Sequence, residues 1–289
     1  MIELFEYLVD WIFDYFGGLI KMESNIAKEL NGRFDPIVLI RTDEKPDDAL
    51  SPKAGRGGCV MAFVAQTIAN RKITAFGREN GTCGGIWPGF GWGDGFKDES
   101  DIDFQATFLS LGIESAKDKE KFLNRLKMMP EPTQKMFMAG ERIFTDYETA
   151  YENIKNRPIS DEGEYVVFKP IENLEDGEIP DSVIFTLNPM EMSAVLQLNS
   201  SFRVESAHVL TPQASACQAI GTFTFSQKGL EDSVPVLSPI DFAARAHMRR
   251  LIPDDYMNLS MTWDLYLKLD ELSKNSVFQT HFWEDFGNK

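Results

Sequence analysis

Two groups of strand-like runs, separated by a long helical stretch, constrain this chain more than any other feature. Pro36–Arg41 and Ile73–Phe76 read as buried strands, short apolar runs bounded by turn residues. Asp101 to Arg157 is mostly helical in pattern, with helices predicted at Phe104–Leu111, Lys119–Met128, Pro132–Ala139 and Tyr147–Lys155. Pro130, Pro132 and Pro158 punctuate that stretch. Strands return at Tyr165–Lys169, Ser182–Leu187, Arg203–Val209, Thr222–Phe225, Val234–Leu237 and Asn258–Thr262. Asn188-Pro189 opens a helix over Met190–Asn199, and another follows at Trp263–Leu272. The order predicts an α/β or α+β fold: a mixed β-sheet flanked by helices, with the helical segment 101–157 as an insertion or cap.

The ends and connections add detail. Residues 1–21 read as an N-terminal amphipathic helical extension to a single domain spanning 22–289. Glu3, Glu6, Asp10 and Asp14 make a narrow acidic stripe, and Ile2, Phe5, Val9, Ile12 and Phe16 an apolar one. Leu4, Leu8, Trp11 and Tyr15 make a second apolar stripe beside it. Such a helix packs in a groove of its own chain or acts as the arm of a homo-oligomer. A membrane-surface helix would carry Lys and Arg on its polar face. Further helices are predicted at Glu23–Leu30 and Cys59–Asn70. Between them and the helical middle, Asn80–Phe96 is a glycine-rich stretch with Trp87, Phe90 and Trp92, read as a long loop of the kind that carries function.

The net charge of −16 repels nucleic-acid phosphates, and no Lys/Arg cluster offsets it, so nucleic acid is excluded as a partner. Anionic membrane surfaces are disfavoured on the same ground. No export signal is visible, and free thiols suit a reducing cytoplasm. Familiar catalytic motifs are missing. Gly89, Gly91 and Gly93 alternate, but Asp94 stands where a dinucleotide fingerprint needs its third glycine. There is no Walker loop, no H-E-x-x-H, no C-x-x-C and no G-x-S-x-G. The acidic runs Asp98–Asp103 and Glu172–Glu178 lack calcium-loop spacing.

Chemistry therefore centres on Cys59, Cys83 and Cys217. An odd number cannot form a closed disulfide framework. Taken singly, each is read most simply as a small buried hydrophobe. Cys59 precedes a helical run, where a helix N-terminus stabilises a thiolate. Cys83 is followed by Gly84 and Gly85, whose backbone N–H groups are free to approach a cluster sulfide or a bound anion. Cys217 opens a possible short helix. Three thiolates suit an iron–sulfur cluster with one open iron, or zinc with His208 or water as fourth ligand. Two alternatives stand beside that metal site: a metal-free small-molecule pocket walled by the glycine-aromatic loop, and a thiol enzyme using Cys59 or Cys83. Arg245, Arg249 and Arg250 read as a solvated or salt-bridged face, with carboxylate binding by Arg249 or Arg250 the minority reading.

The chain also resembles an uncharacterised bacterial and archaeal family, domain of unknown function 169, whose members are called uncharacterised ArCR. The resemblance is carried by Met22-Glu23-Ser24 with Ile26-Ala27-Lys28, Asp43-Glu44-Lys45-Pro46, Gly58-Cys59-Val60-Met61 and Cys83-Gly84-Gly85. It continues through Gly140-Glu141-Arg142, Val166–Pro170, Val183-Ile184-Phe185, Cys217–Gly221 and Asp241–Leu251. The resemblance implies fold and candidate positions rather than a reaction. Thr82 and Ala216 depart from the residues expected before the cysteines, and residues 1–21 look like an addition.

Overall fold

The computed structural model describes residues 23–52, 59–78, 86–92, 98–160, 162–206, 208–213 and 215–287. The predicted N-terminal helix and Cys83, Gly84 and Gly85 lie outside them. Six strands make one sheet: β1 Ile37–Thr42, β2 Thr74–Gly77, β3 Tyr165–Pro170, β4 Ser182–Leu187, β5 Val236–Ser238 and β6 Met257–Thr262. Their order is β2-β3-β1-β4-β6-β5, and every ladder is antiparallel. Leu39 stands opposite Phe168, and Val183 opposite Met261. Among the described residues, parallel pairing is confined to two isolated bridges, Leu50–Thr74 and Leu210–Val236.

The helices are α1 Asn25–Leu30, α2 Val60–Asn70, α3 Ile86–Phe90, α4 Glu99–Leu109, α5 Lys119–Leu126, α6 Glu131–Ala139 and α7 Tyr147–Lys155. They continue as α8 Pro189–Ser200, α9 Ala216–Ile220, α10 Thr222–Phe225, α11 Phe242–Met248, α12 Trp263–Ser273 and α13 His281–Gly287. Strand alternation sends neighbouring side chains to opposite faces. Ile37, Leu39, Val166, Phe168 and Ile184 pack against α2, α3, α9, α10 and α11. Val38, Val183, Phe185, Leu259 and Met261 pack against α1, α8 and α12. With both faces covered, the central strands read as continuous apolar runs.

The insertion α4–α7 has its own apolar clusters. Ile102, Ala106, Phe144, Tyr147, Ala150 and Ile154 form one. Phe104, Phe122 and Leu126 form the other with Phe137, whose ring stacks 3.9 Å from that of Phe108. Asp118 and Asp146 cap α5 and α7 by accepting backbone N–H bonds. Asn188 caps α8 in a capping box with Glu191, and Pro189 takes the first helical position, as predicted.

Three expectations are corrected. The glycine-aromatic stretch is not a structureless loop throughout, because Ile86–Phe90 is helical. Phe90 and Trp92 are fully buried, so they cover the core. Thr222–Phe225 is helix α10 rather than a strand, because Phe225 and Ser226 donate their N–H groups back to Gly221 and Thr222. Arg203–Val209 contains no strand among its described residues, and the only pairing nearby is the Leu210 bridge.

Two buried charge clusters tie distant segments together. Asp270 on α12 accepts from Ser24 Oγ at 3.1 Å, Asn25 Nδ2 at 2.7 Å and the Ile26 N–H at 3.0 Å. That carboxylate fastens α1 to the far end of the chain. Asp270→Ala is expected to cost about 2–3 kcal/mol, because it strands buried donors that served a charged acceptor. Urea denaturation measures this, and a loss below about 0.5 kcal/mol would show that α1 docks by apolar contact alone.

The second cluster centres on Arg41, whose side chain is 3% exposed, beside Asp181 at 8%. The Arg41 N–H and Nη2 each donate to Asp181 at 2.8 Å, and Nη1 donates to Ser160 Oγ at 2.5 Å. Nη2 also pairs with Glu162 at 2.8 Å, and the guanidinium lies 4.1 Å from the centre of the Phe225 ring. Lys228 Nζ reaches Asp181 at 3.3 Å. This network holds the segment after α7 against the sheet and α10.

Candidate functional site

Helix α3 and the start of α9 touch through glycine. A side chain at Gly89 would put its Cβ 3.0 Å from Cys217 Sγ, and one at Gly221 would meet the Gly89 carbonyl oxygen at 2.0 Å. This approach requires hydrogen at Gly221, and at Gly89 a Cβ would fit only if Cys217 gave way by a few tenths of an ångström. Just beyond, Gly91 has φ +77°, and a Cβ there would fall 1.5 Å from the Ser160 carbonyl oxygen. Trp92 Nε1 donates to the Gly163 carbonyl at 3.0 Å. The glycine-aromatic segment is thus bonded to the connection 157–163, which the Arg41 network holds from the other side.

A cleft of about 420 Å³ opens between these parts. Ile102, Tyr151, Ile154 and Lys155 line it from the insertion, Pro88 and Gly91 from the glycine segment, and Gln218 from α9. Arg157, Pro158 and Ile159 complete the wall, with Glu99 at the edge. The volume falls in the range of small-molecule sites, roughly 300–1,000 Å³.

Arg157 is the polar centre of that wall. It is half-buried, and Nη1 donates to Gln218 Oε1 at 2.6 Å. Nη2 donates to the Gln213 carbonyl at 2.9 Å and to Asn153 Oδ1 at 2.9 Å, and Nε donates to Asn153 Oδ1 at 3.1 Å. All these acceptors are neutral. Desolvation draws the Arg157 pKa down to about 10, partly opposed by the neighbouring Cys217. Gln218 is held in turn by Ser215, whose Oγ donates to Gln218 Oε1 at 3.2 Å and lies 3.3 Å from Cys217 Sγ.

Asp241 joins this site to α11. It accepts from the Ala216 N–H at 2.6 Å, at the first residue of α9, and from the Ala244 N–H at 2.6 Å. Glu141, from the connection between α6 and α7, has its carboxyl pushed above the ordinary glutamate value, first by desolvation and then by the Asp241 carboxylate. Segments of the chain from 157 and 241 therefore meet at one short helix, α9.

The predicted site residues distribute unevenly. Cys217 is 7% exposed and belongs to the apolar cluster on this face of the sheet. Cys59 is half-buried at the N-terminus of α2 and packs against the same cluster, and its side chain makes no capping bond. Neither is in a disulfide. Among the described residues, no three His, Cys, Asp or Glu side chains stand together as metal ligands, so the predicted centre would need Cys83. His208 is half-buried, and its carbonyl accepts from Asn199 Nδ2 at 3.0 Å. Arg245 and Arg249 are engaged at Asp254, the structural role expected of them. Sequence reasoning missed Arg157, whose meaning depends on contacts 56 and 61 residues away.

Residues 25–271 match the family model of DUF169, described as uncharacterised ArCR. The chain belongs to this family. The match takes in the sheet, the insertion, and the described walls of the cleft. No curated protein and no solved structure matches the chain. No helix among the described residues is long and apolar enough to cross a membrane.

Proposed function

We propose that this DUF169 protein binds a small organic molecule in the cleft between the helical insertion and helices α3 and α9. The observation that carries the reading is the cleft itself: a volume of about 420 Å³ with mostly apolar walls and a few convergent polar groups, Arg157 and Gln218 foremost. Cys217 lies behind this wall, where its contacts with Gly89 and Ser215 support a packing role.

Saturation-transfer NMR on the full chain tests the reading with a panel of small organic acids, alcohols and amines. At least one class is expected to bind wild type, and Ile102→Trp, which enlarges a buried side chain on the cleft wall and whose fold is checked by circular dichroism, is expected to abolish that signal. Binding by no class, or binding indifferent to Ile102→Trp, would overturn it.

A second reading keeps the three-cysteine centre, either a zinc ion or an iron–sulfur cluster on Cys59, Cys83 and Cys217 with Gly84 and Gly85 beside it. It is favoured by Cys59 and Cys217 bordering one apolar cluster. Iron and zinc analysis of anaerobically purified protein tests it. Near-stoichiometric metal that is lost in Cys217→Ser would support it, and metal-free protein with three titratable thiols would reject it.

A further inference from the structure

Resting on the cleft reading above, we propose that the ligand is a monocarboxylate with an apolar body, its carboxylate read by Arg157 and Lys155. Arg157 carries a full charge, yet all its hydrogen-bond partners are neutral, and among the described residues no carboxylate stands at ion-pair distance. A guanidinium has five N–H donors, and four bonds account for four of them. The remaining Nη1 hydrogen is available to an incoming acceptor. A half-buried cation held only by neutral acceptors gains a charge-assisted hydrogen bond when an anion enters the cleft.

Lys155 adds a second positive group on the same wall. Its Nζ is 5.8 Å from the centre of the Tyr151 ring, and among the described residues it has no carboxylate partner. The negative group on the rim, Glu99, accepts from Tyr151 Oη at 3.5 Å. Among the described lining residues, one acidic side chain against two cations admits a single negative charge and opposes a dianion such as phosphate. The rest of the wall sets the ligand's body. Ile102, Ile154, Pro158 and Ile159 are apolar and lie on the approach to Arg157. A purely polar acid would leave those surfaces dry without a partner. An aliphatic or aryl acid covers them while its head reaches Arg157.

Isothermal titration calorimetry with octanoate, octanol, octylamine and inorganic phosphate tests the assignment on the full chain. Octanoate is expected to bind at least tenfold tighter than octanol or octylamine, and phosphate to give no heat. Arg157→Met is expected to weaken octanoate about ten- to a hundredfold, the span of a charge-assisted hydrogen bond. Arg157→Lys should restore part of that loss. If Arg157→Met does not fold, Lys155→Met and Arg157→Lys carry the measurement, each expected to weaken octanoate severalfold and leave octanol unchanged. Octanol binding as tightly as octanoate, with both lost in Ile102→Trp, would overturn the carboxylate assignment and leave the cleft reading intact. Octanoate binding unmoved by every arginine and lysine variant would overturn it as well. So would phosphate binding that Arg157→Met abolishes. Failure of all four probes to bind would overturn the assignment, and the wider NMR panel then judges the cleft alone.

Discussion

Asp181→Ala is expected to destabilise the protein by about 3–5 kcal/mol, the range for breaking a buried ion pair by removing one partner. The side chains of Arg41 and Asp181 are 3% and 8% exposed, so the arginine left behind keeps, among the described residues, only the exposed Glu162 as counter-ion and recovers little from water. The loss also has a defined pH dependence. Burial pushes the Asp181 carboxyl up, but the hydrogen bonds and charge of Arg41, with help from Lys228, outweigh it, and the folded-state pKa lies below the ordinary value. Since the folded value is the lower one, the stabilisation is complete above the unfolded pKa of about 3.9 and disappears as pH falls through the folded value. The stability difference between wild type and the near-isosteric Asp181→Asn should therefore be constant near neutral pH and shrink below about pH 4. Guanidinium denaturation across that range measures it. A difference that grows as pH falls would contradict the ion-pair account. Because Arg41 also holds Ser160 and Glu162, Asp181→Ala should weaken any ligand bound in the cleft alongside its effect on stability.

Gly91→Ala carries the second large expected effect. The residue has φ +77°, a conformation costing an L-residue about 1–2 kcal/mol. The added Cβ would also stand 1.5 Å from the Ser160 carbonyl oxygen, a backbone atom that cannot rotate away. Together these predict a loss of about 2–4 kcal/mol, with displacement of the 157–163 connection that carries Arg157. Gly177 is the control. Its φ is +85°, but a Cβ there would meet nothing within 4 Å, so Gly177→Ala should show the backbone cost alone. Thermal melting of the two variants separates strain from collision. Equal shifts would mean that the approach of Gly91 to Ser160 is not tight.

The strands β1, β3 and β4 were legible in the sequence because each is a short, largely apolar run buried on both faces, and β6 because Met257, Leu259 and Met261 alternate with polar residues. The insertion was legible because α5 and α7 repeat their apolar positions at helical spacing: Phe122 and Leu126 are buried on one, and Tyr147, Ala150 and Ile154 on the other. Thr222–Phe225 misleads because Thr-Phe-Thr-Phe has the alternation and composition of a strand. Tertiary packing decides otherwise: Thr224 Oγ1 bonds the Ala219 carbonyl at 2.9 Å and lies 3.0 Å from Ser260 Oγ on β6, which a helical turn permits. Helix α11 carries a clear start signal in Asp241, which accepts the Ala244 N–H, but its exposed Phe242 blurs the apolar stripe. The site was half legible. The cysteine and glycine positions drew attention to α3 and α9, and Gly89 does lie on Cys217. Arg157 was not legible, because an arginine before a proline at a helix end has no distinctive pattern. Its charge acquires meaning only when Asn153, Gln213 and Gln218 surround it with neutral acceptors.

A crystal structure of the full chain grown with octanoate tests the central claim most directly. The account predicts the molecule in the cleft, its carboxylate within hydrogen-bond distance of Arg157 Nη1 and its chain along Ile102, Ile154 and Ile159. A cleft filled by its own side chains, or octanoate bound only elsewhere on the protein, would contradict it.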